Sequence, residues 1–132
     1  MTAKVRILEL DNRGDARGFS FTVPAEALTF VGSMKDIHLA LTKPGAIRGN
    51  HYHLRRREAI LVQPGSRWSL HWDEEKGATA QHREFDGGSA VLVLIEPGAS
   101  HAVRNDGAAE LWLTAISSEA YDPAESVARK VV

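Results

Sequence analysis

The sequence predicts an all-β domain, a sandwich or a barrel. Apolar and polar residues alternate in short segments, clusters of Gly, Pro, Asn and Asp divide those segments about every ten residues, and helical periodicity is thin. Val5, Ile7 and Leu10 open the series in a strand over residues 4–10, closed by Asn12-Arg13-Gly14-Asp15. Pro24-Ala25-Glu26-Ala27-Leu28 offers a single helical turn. Ile37, Leu39 and Leu41 then alternate with His38, Ala40 and Thr42 up to the turn Lys43-Pro44-Gly45, and His51 and His53 sit two apart on the next strand. After Pro64-Gly65, Trp68, Leu70 and Trp72 alternate with Arg67, Ser69 and His71, and Asp86-Gly87-Gly88 marks another turn. Pro97-Gly98 precedes a strand beginning at His101, Asn105-Asp106-Gly107 ends it, and Leu111, Leu113 and Ala115 alternate with Trp112, Thr114 and Ile116. The short C-terminal tail holds Asp122-Pro123-Ala124-Glu125, with a cap residue, Pro at N1 and Glu at N3, which predicts a helix running into Ser126-Val127-Ala128-Arg129.

At 132 residues, with 43% hydrophobic and 25% charged residues, the chain reads as one ordinary globular domain spanning residues 1–132. Sixteen Lys and Arg against 17 Asp and Glu leave a net charge of −1, so no basic excess exists to neutralise a run of phosphates and nucleic acid is not an expected partner. The longest apolar run, Ala90 to Ile95, is six residues, far below the roughly 20 that span a bilayer as a helix. No apolar signal stretch opens the chain, so a cytoplasmic protein without membrane association is expected. With no cysteine, thiolate chemistry is excluded and His and carboxylate are the available strong metal ligands.

Four residues stand where metal chemistry would want them. His51 and His53 leave one face of a strand and can converge on one ion. Glu58 follows His53 by five residues, an odd offset that points it to the opposite face unless a turn or bulge within Leu54-Arg55-Arg56-Arg57 intervenes. The three arginines suit a solvated turn better than a core. His101 can close a set of three imidazoles and one carboxylate. The bland alternative for all four is polar lining of a barrel that binds nothing. Arg48 reads either as a surface charge or as a cation for phosphate at the barrel mouth. His38 and His71 each lie on one face of an alternating strand, where either can reach a substrate if that face is the interior. His82 reads as surface, Tyr52 alternates away from the histidines, Trp68, Trp72 and Trp112 read as core or dimer packing, and Tyr121 is a candidate proton donor with no local motif to fix the role.

The spacing carries a resemblance. Gly45, His51, His53, Glu58 and Gly65, separated by five, one, four and six residues, match the first cupin motif (residues 45–65), and Gly98, His101 and Asn105 match the later half of the second (residues 98–105). Two positions depart from that second motif: Pro97 abuts Gly98, and Ala90 stands where a leading glycine is expected. The resemblance implies a single-domain cupin, a jelly-roll barrel or double-stranded β-helix, with a divalent metal at its mouth held by His51, His53, Glu58 and His101. Zinc is the first expectation, with nickel, manganese or iron as alternatives. More narrowly, the run from Thr42 to His53, TKPGAIRGNHYH, is similar to the C-terminal cupin domain of capsular-polysaccharide reductases. Asp15-Ala16-Arg17-Gly18-Phe19, and the segment from Ser117 to Pro123, resemble parts of nucleotide-sugar epimerases and ketoisomerases.

These likenesses imply an epimerase or isomerase acting on a nucleotide-linked 4-ketosugar in surface-polysaccharide biosynthesis. His51 and His53 would be catalytic, and Arg48, His71 and His38 would bind the small-molecule sugar-nucleotide substrate. The same ligand set suits an iron-dependent dioxygenase, and a non-catalytic sugar-binding or regulatory cupin is a third reading. Exposed sheet edges in a single-motif cupin lead to the expectation of a homodimer, paired through the N-terminal strand.

Overall fold

A computed structural model describes residues 3–132. Ten strands form two five-stranded sheets that face each other. They are β1 (Val5–Glu9), β2 (Asp36–Thr42), β3 (Ile47–His53), β4 (Glu58–Val62), β5 (Trp68–Trp72), β6 (Gln81–Phe85), β7 (Val91–Ile95), β8 (His101–Asn105), β9 (Leu111–Ser117) and β10 (Ser126–Ala128). One sheet has the order β1-β7-β4-β9-β2 and the other β10-β3-β8-β5-β6, with every pairing antiparallel. This is the double-stranded β-helix that the turn spacing and the motifs predict.

The apolar run of β7 shows how the layers are built. Val91, Val93 and Ile95 point between the sheets, where they meet Trp68, Leu70 and Val103; Leu92 and Leu94 point out of the first sheet against a helix, α1 (Ala25–Val31), through Ala27 and Val31. Period-two alternation therefore buries both faces of β7, each buried Leu or Ile contributing roughly 1.5–3 kcal/mol. The helix is two turns long rather than the one turn expected, because its apolar face has this second cluster to cover. Among the described residues no helix is long and apolar enough to cross a membrane.

The tail departs from expectation. Asp122 does cap a turn, its side chain accepting from the Ala124 amide with Pro123 at N1, but the turn is a 3₁₀ segment of three residues (Pro123–Glu125). Residues 126–128 then form β10 and pair with β3 instead of continuing a helix. An open sheet edge offered backbone hydrogen bonds that a three-residue helix start could not match.

Two turns, at residues 43–45 and 105–107, are tied to each other through Asn105. Asn105 is fully buried; its side-chain amide donates to the Thr42 and Ala109 carbonyls while its Oδ1 accepts from Ser66 and Gly107. Its backbone carbonyl accepts from the Gly45 amide, where φ is +80°, a conformation that favours glycine. The alternating residues of β2 face the opposite way from most strands: Ile37 and Leu39 are 60% and 68% exposed, while His38 and Ala40 line the cavity.

Candidate active site

One cavity of about 730 Å³ opens between the sheets. At its closed end His51, His53 and His101 bring one ring nitrogen each to within 4.8 Å of one another. How the chain places them depends on a bulge. Through Gly49 the register of β3 on β8 is regular, Arg48 opposite Val103 and Gly49 opposite Ala102; an extra residue, Asn50, then shifts the pairing so that His51 lies opposite His101. In an unbroken register Asn50 would lie opposite His101 and His51 would point outward. The bulge also explains why Arg48 and His51, an odd number of residues apart, line the same cavity. Asn50 takes φ +59°, which asparagine tolerates, and its side chain holds the end of the chain by accepting from the Val131 and Val132 amides and donating to the Val132 carbonyl.

Glu58 arrives from the other sheet. The arginine turn carries the chain across from β3 to β4, so strand parity no longer applies, and the Glu58 carboxylate ends 3.6 Å from His53 Nε2 and 3.5 Å from His101 Nε2. The predicted turn within residues 54–57 is therefore present, but its arginines do not share one fate. Arg55 and Arg57 are exposed, whereas Arg56 is buried beside Glu58, against the solvated reading.

Glu125 is the site residue that sequence reasoning missed. It is 1% exposed and accepts from the Arg55 and Arg56 amides, and His53 Nδ1–H donates to it over 2.8 Å. Its place three residues after a cap had suggested a capping box, which hid this role. His101 Nδ1–H donates in the same way to the Ala99 carbonyl at 3.1 Å. Both rings thus carry the proton on Nδ1 and turn a bare Nε2 inward, and neither Nε2 has a hydrogen-bond partner although both are buried. Buried lone pairs without a donor are costly, and three imidazoles with one carboxylate around them are a donor set that fits a divalent cation.

Burial, with the neighbouring His101 and His53, lowers the His51 pKa to about 4. Burial likewise lowers that of His53. For Glu58, burial pushes the carboxyl up, but His101, His53 and Arg56 outweigh it and hold it at about 2; for Glu125 the Arg55 and Arg56 amides similarly overcome burial and keep it below the usual carboxylate range. The signs agree. His51 and His53 resist protons that the unfolded chain takes up from about pH 6.5 downward, and Glu125, held low by two backbone amides, contributes stability that is lost below the ordinary carboxylate range. The melting temperature of metal-free protein is expected to fall continuously from pH 7 to pH 4, which scanning calorimetry at fixed ionic strength checks. A flat profile would contradict the assigned states.

The remaining expected site residues divide. His38 faces the cavity from β2, beside Asp36. Arg48 stands at the mouth, its Nε donating to Thr42 Oγ1 and its Nη2 to the Leu41 carbonyl, with donors to spare. His71 does not join them. Paired with Ala102 on β8, one residue from the inward-facing His101, it points to the outer face of its sheet, where it contacts Ser69 Oγ at 2.9 Å and stacks on His82. Trp68 is core, Trp112 is 48% exposed, and Tyr121 lines the rim at 77% exposure. Tyr52 lies beneath the Arg129 guanidinium, 4.3 Å from its ring centre. The segment from Asp15 to Phe19 is an exposed turn clasped by an Arg17–Asp15 ion pair, away from the cavity.

Two facing antiparallel sheets with a histidine-lined cavity between them make up the cupin fold. The chain belongs to the polysaccharide biosynthesis C-terminal domain family, whose model matches residues 13–127. Solved structures of the same fold include ChmJ, a 3'-monoepimerase from Streptomyces bikiniensis in complex with dTDP-quinovose, with a TM-score of 0.78 and 18% identity over 97% of this chain and 71% of that one. QdtA, a sugar 3,4-ketoisomerase from Thermoanaerobacterium thermosaccharolyticum in complex with TDP, gives a TM-score of 0.73 and 15% identity over 96% of this chain and 89% of that one. The capsular polysaccharide assembling protein CapF from Staphylococcus aureus gives 0.66 and 21% identity over 74% of this chain and 27% of that one. No curated protein matches the sequence.

Proposed function

We propose that this cupin is a metal-dependent epimerase or isomerase of a nucleotide-linked 4-ketosugar in polysaccharide biosynthesis. The observation that carries the reading is the pair of buried, unpartnered Nε2 atoms of His53 and His101, facing Glu58 at the closed end of a cavity large enough for a sugar. His51, His53, Glu58 and His101 would hold the ion, zinc before nickel, manganese or iron. Such an ion would polarise a substrate carbonyl and so acidify the neighbouring C–H.

The chain's own residues do the rest. Glu125 and the Ala99 carbonyl fix the tautomers of His53 and His101, and Arg48 at the mouth takes substrate phosphate with its free donors. His38 stands on the other sheet, where its ring makes no hydrogen bond among the described residues; it is the imidazole left to take the proton from the sugar carbon and return it. The dTDP-sugar ligand of ChmJ and the TDP bound to QdtA support the substrate class. A homodimer paired through the N-terminal strand, β1 at one edge of its sheet, and a cytoplasmic location belong to the same reading.

The test is twofold. Metal analysis of untagged protein purified without chelator is expected to give about one divalent ion per chain, falling to background in His101→Ala. With TDP-4-keto-6-deoxyglucose, the ligand of a mutant QdtA complex, the wild type is expected to incorporate solvent deuterium and His51→Ala to lose it. Iron together with oxygen consumption would move the dioxygenase ahead, and an unchanged exchange rate in His51→Ala would remove that residue from the reaction.

A further inference from the structure

The peptide between Ala99 and Ser100 is held on both edges. Its carbonyl accepts from His101 Nδ1–H at 3.1 Å, and its N–H donates to Asp73 Oδ1 at 3.0 Å. A carbonyl only accepts, so this contact puts the proton on Nδ1 and leaves Nε2 bare toward Glu58. Asp73 follows directly on β5, and its own amide donates back to the Ser100 carbonyl. Arg129 fixes the carboxylate in turn: Nε donates to Oδ2 at 2.8 Å, Nη2 donates to Oδ1, and Nη2 also donates to the Gly98 carbonyl at 2.7 Å. This two-pronged guanidinium–carboxylate pair has side chains only 18% and 7% exposed. Burying both charges carries a desolvation cost, and Asp73 does not line the cavity, so no ligand contact accounts for it. What Asp73 does touch is the peptide that sets the tautomer of His101.

We propose that Asp73 is a positioning residue for His101, acting through the Ala99–Ser100 peptide as Glu125 acts on His53 by direct contact. A negative charge at the N–H of an amide polarises it and raises the electron density on its carbonyl oxygen. That oxygen then accepts more strongly from Nδ1–H, which fixes the ring and makes Nε2 a better electron donor. Each of the two bare Nε2 atoms is thus backed by a carboxylate, one at 2.8 Å from its ring and the other one peptide removed. Arg129 keeps the Asp73 carboxylate aimed, and its own amide is tied to the Asn50 carbonyl at 2.9 Å. The consequence for metal affinity rests on the metal-dependent reading of the site; the tautomer of His101 does not.

Asp73→Asn keeps an acceptor oxygen and removes the charge. Long-range ¹H–¹⁵N spectra of the metal-free protein, assigned by the signals lost in His101→Gln and His53→Gln, report the tautomer of each ring. His101 is expected to carry its proton on Nδ1 in the wild type and to gain a fraction of the Nε2–H form in Asp73→Asn, while His53 stays unchanged. A purely structural role would unsettle both rings or neither, and either result overturns the proposal. Zinc Kd, read by competition with a chelator, is expected to rise about 3–10-fold in Asp73→Asn, less than the roughly 10–100-fold typical of a direct partner. An unmoved Kd likewise overturns it. Should Asp73→Asn not fold, Arg129→Lys, which keeps the charge but loses the fork, carries the same comparison with a smaller change. If the wild type takes up no zinc, the metal-dependent reading fails, while a tautomer change confined to His101 still upholds the role of Asp73.

Discussion

Replacing Glu125 by alanine is expected to lower stability by about 3–5 kcal/mol, a fall in melting temperature of roughly 10 °C or more. Three donors lose their acceptor at once: the Arg55 amide, the Arg56 amide and His53 Nδ1–H. All three are buried or nearly so, and Arg56 also loses one of its two counter-charges. Glu125→Gln keeps a carbonyl acceptor but not the charge, so its loss is expected to be smaller. The functional consequence is separate from the folding one. In Glu125→Ala nothing holds the proton on His53 Nδ1, and in Glu125→Gln the acceptor lacks the charge that makes Nε2 a stronger ligand, so zinc affinity is expected to fall about 10–100-fold in the first and measurably in the second. Calorimetry reads the first effect and competition with a metallochromic chelator the second. Unchanged zinc affinity in Glu125→Gln would reduce Glu125 to a structural residue.

Gly49→Ala is the second large effect. Gly49 has φ +113°, and a Cβ there would collide with the His101 carbonyl oxygen and lie 2.9 Å from Ala102 Cα. Both neighbours are backbone of β8, so neither can swing aside. Strain and clash together are expected to cost about 3–5 kcal/mol. The damage falls where it matters, because Gly49 is the last regular pair before the bulge that turns His51 inward. Any folded fraction is expected to bind metal poorly, since the strands must part or slip to admit the methyl group. Gly77→Ala is the control: its φ is also positive, at +86°, but a Cβ there meets nothing within 4 Å, so only the strain applies. Comparable losses in both variants would show that close approach to β8 is not the cause.

The tail contributes more than its length suggests. Beyond Glu125, Arg129 donates to the Asp73 carboxylate from Nε at 2.8 Å and to the Gly98 carbonyl at 2.7 Å, and Asn50 binds the last two residues. The bulge that orients His51 is thus fastened to the segment that supplies the partner of His53. These contacts join positions 31 to 82 residues apart in the chain, with no local pattern to announce them.

What the sequence determined by itself was the kind of fold and the identity of most of the site. Alternation and turn chemistry are local properties, set by period-two burial and by the few residues that tolerate tight turns, so the strands holding Ile37, Trp68 and Leu111 were legible without any partner. The spacing from Gly45 to Gly65 likewise singled out His51, His53, Glu58 and His101. Tertiary structure alone decided which face was interior: β2 presents His38 to the cavity and Leu39 to solvent, while β5 sends His71 outside, although both strands show the same alternation. It also decided that Glu58 converges from the opposite sheet, that Arg56 is buried and Arg55 is not, and that Glu125 belongs to the site. The physical reason is one of range. Periodicity says that two faces differ, but burial and hydrogen-bond partners are fixed by what lies across the barrel, and those neighbours come from remote parts of the chain.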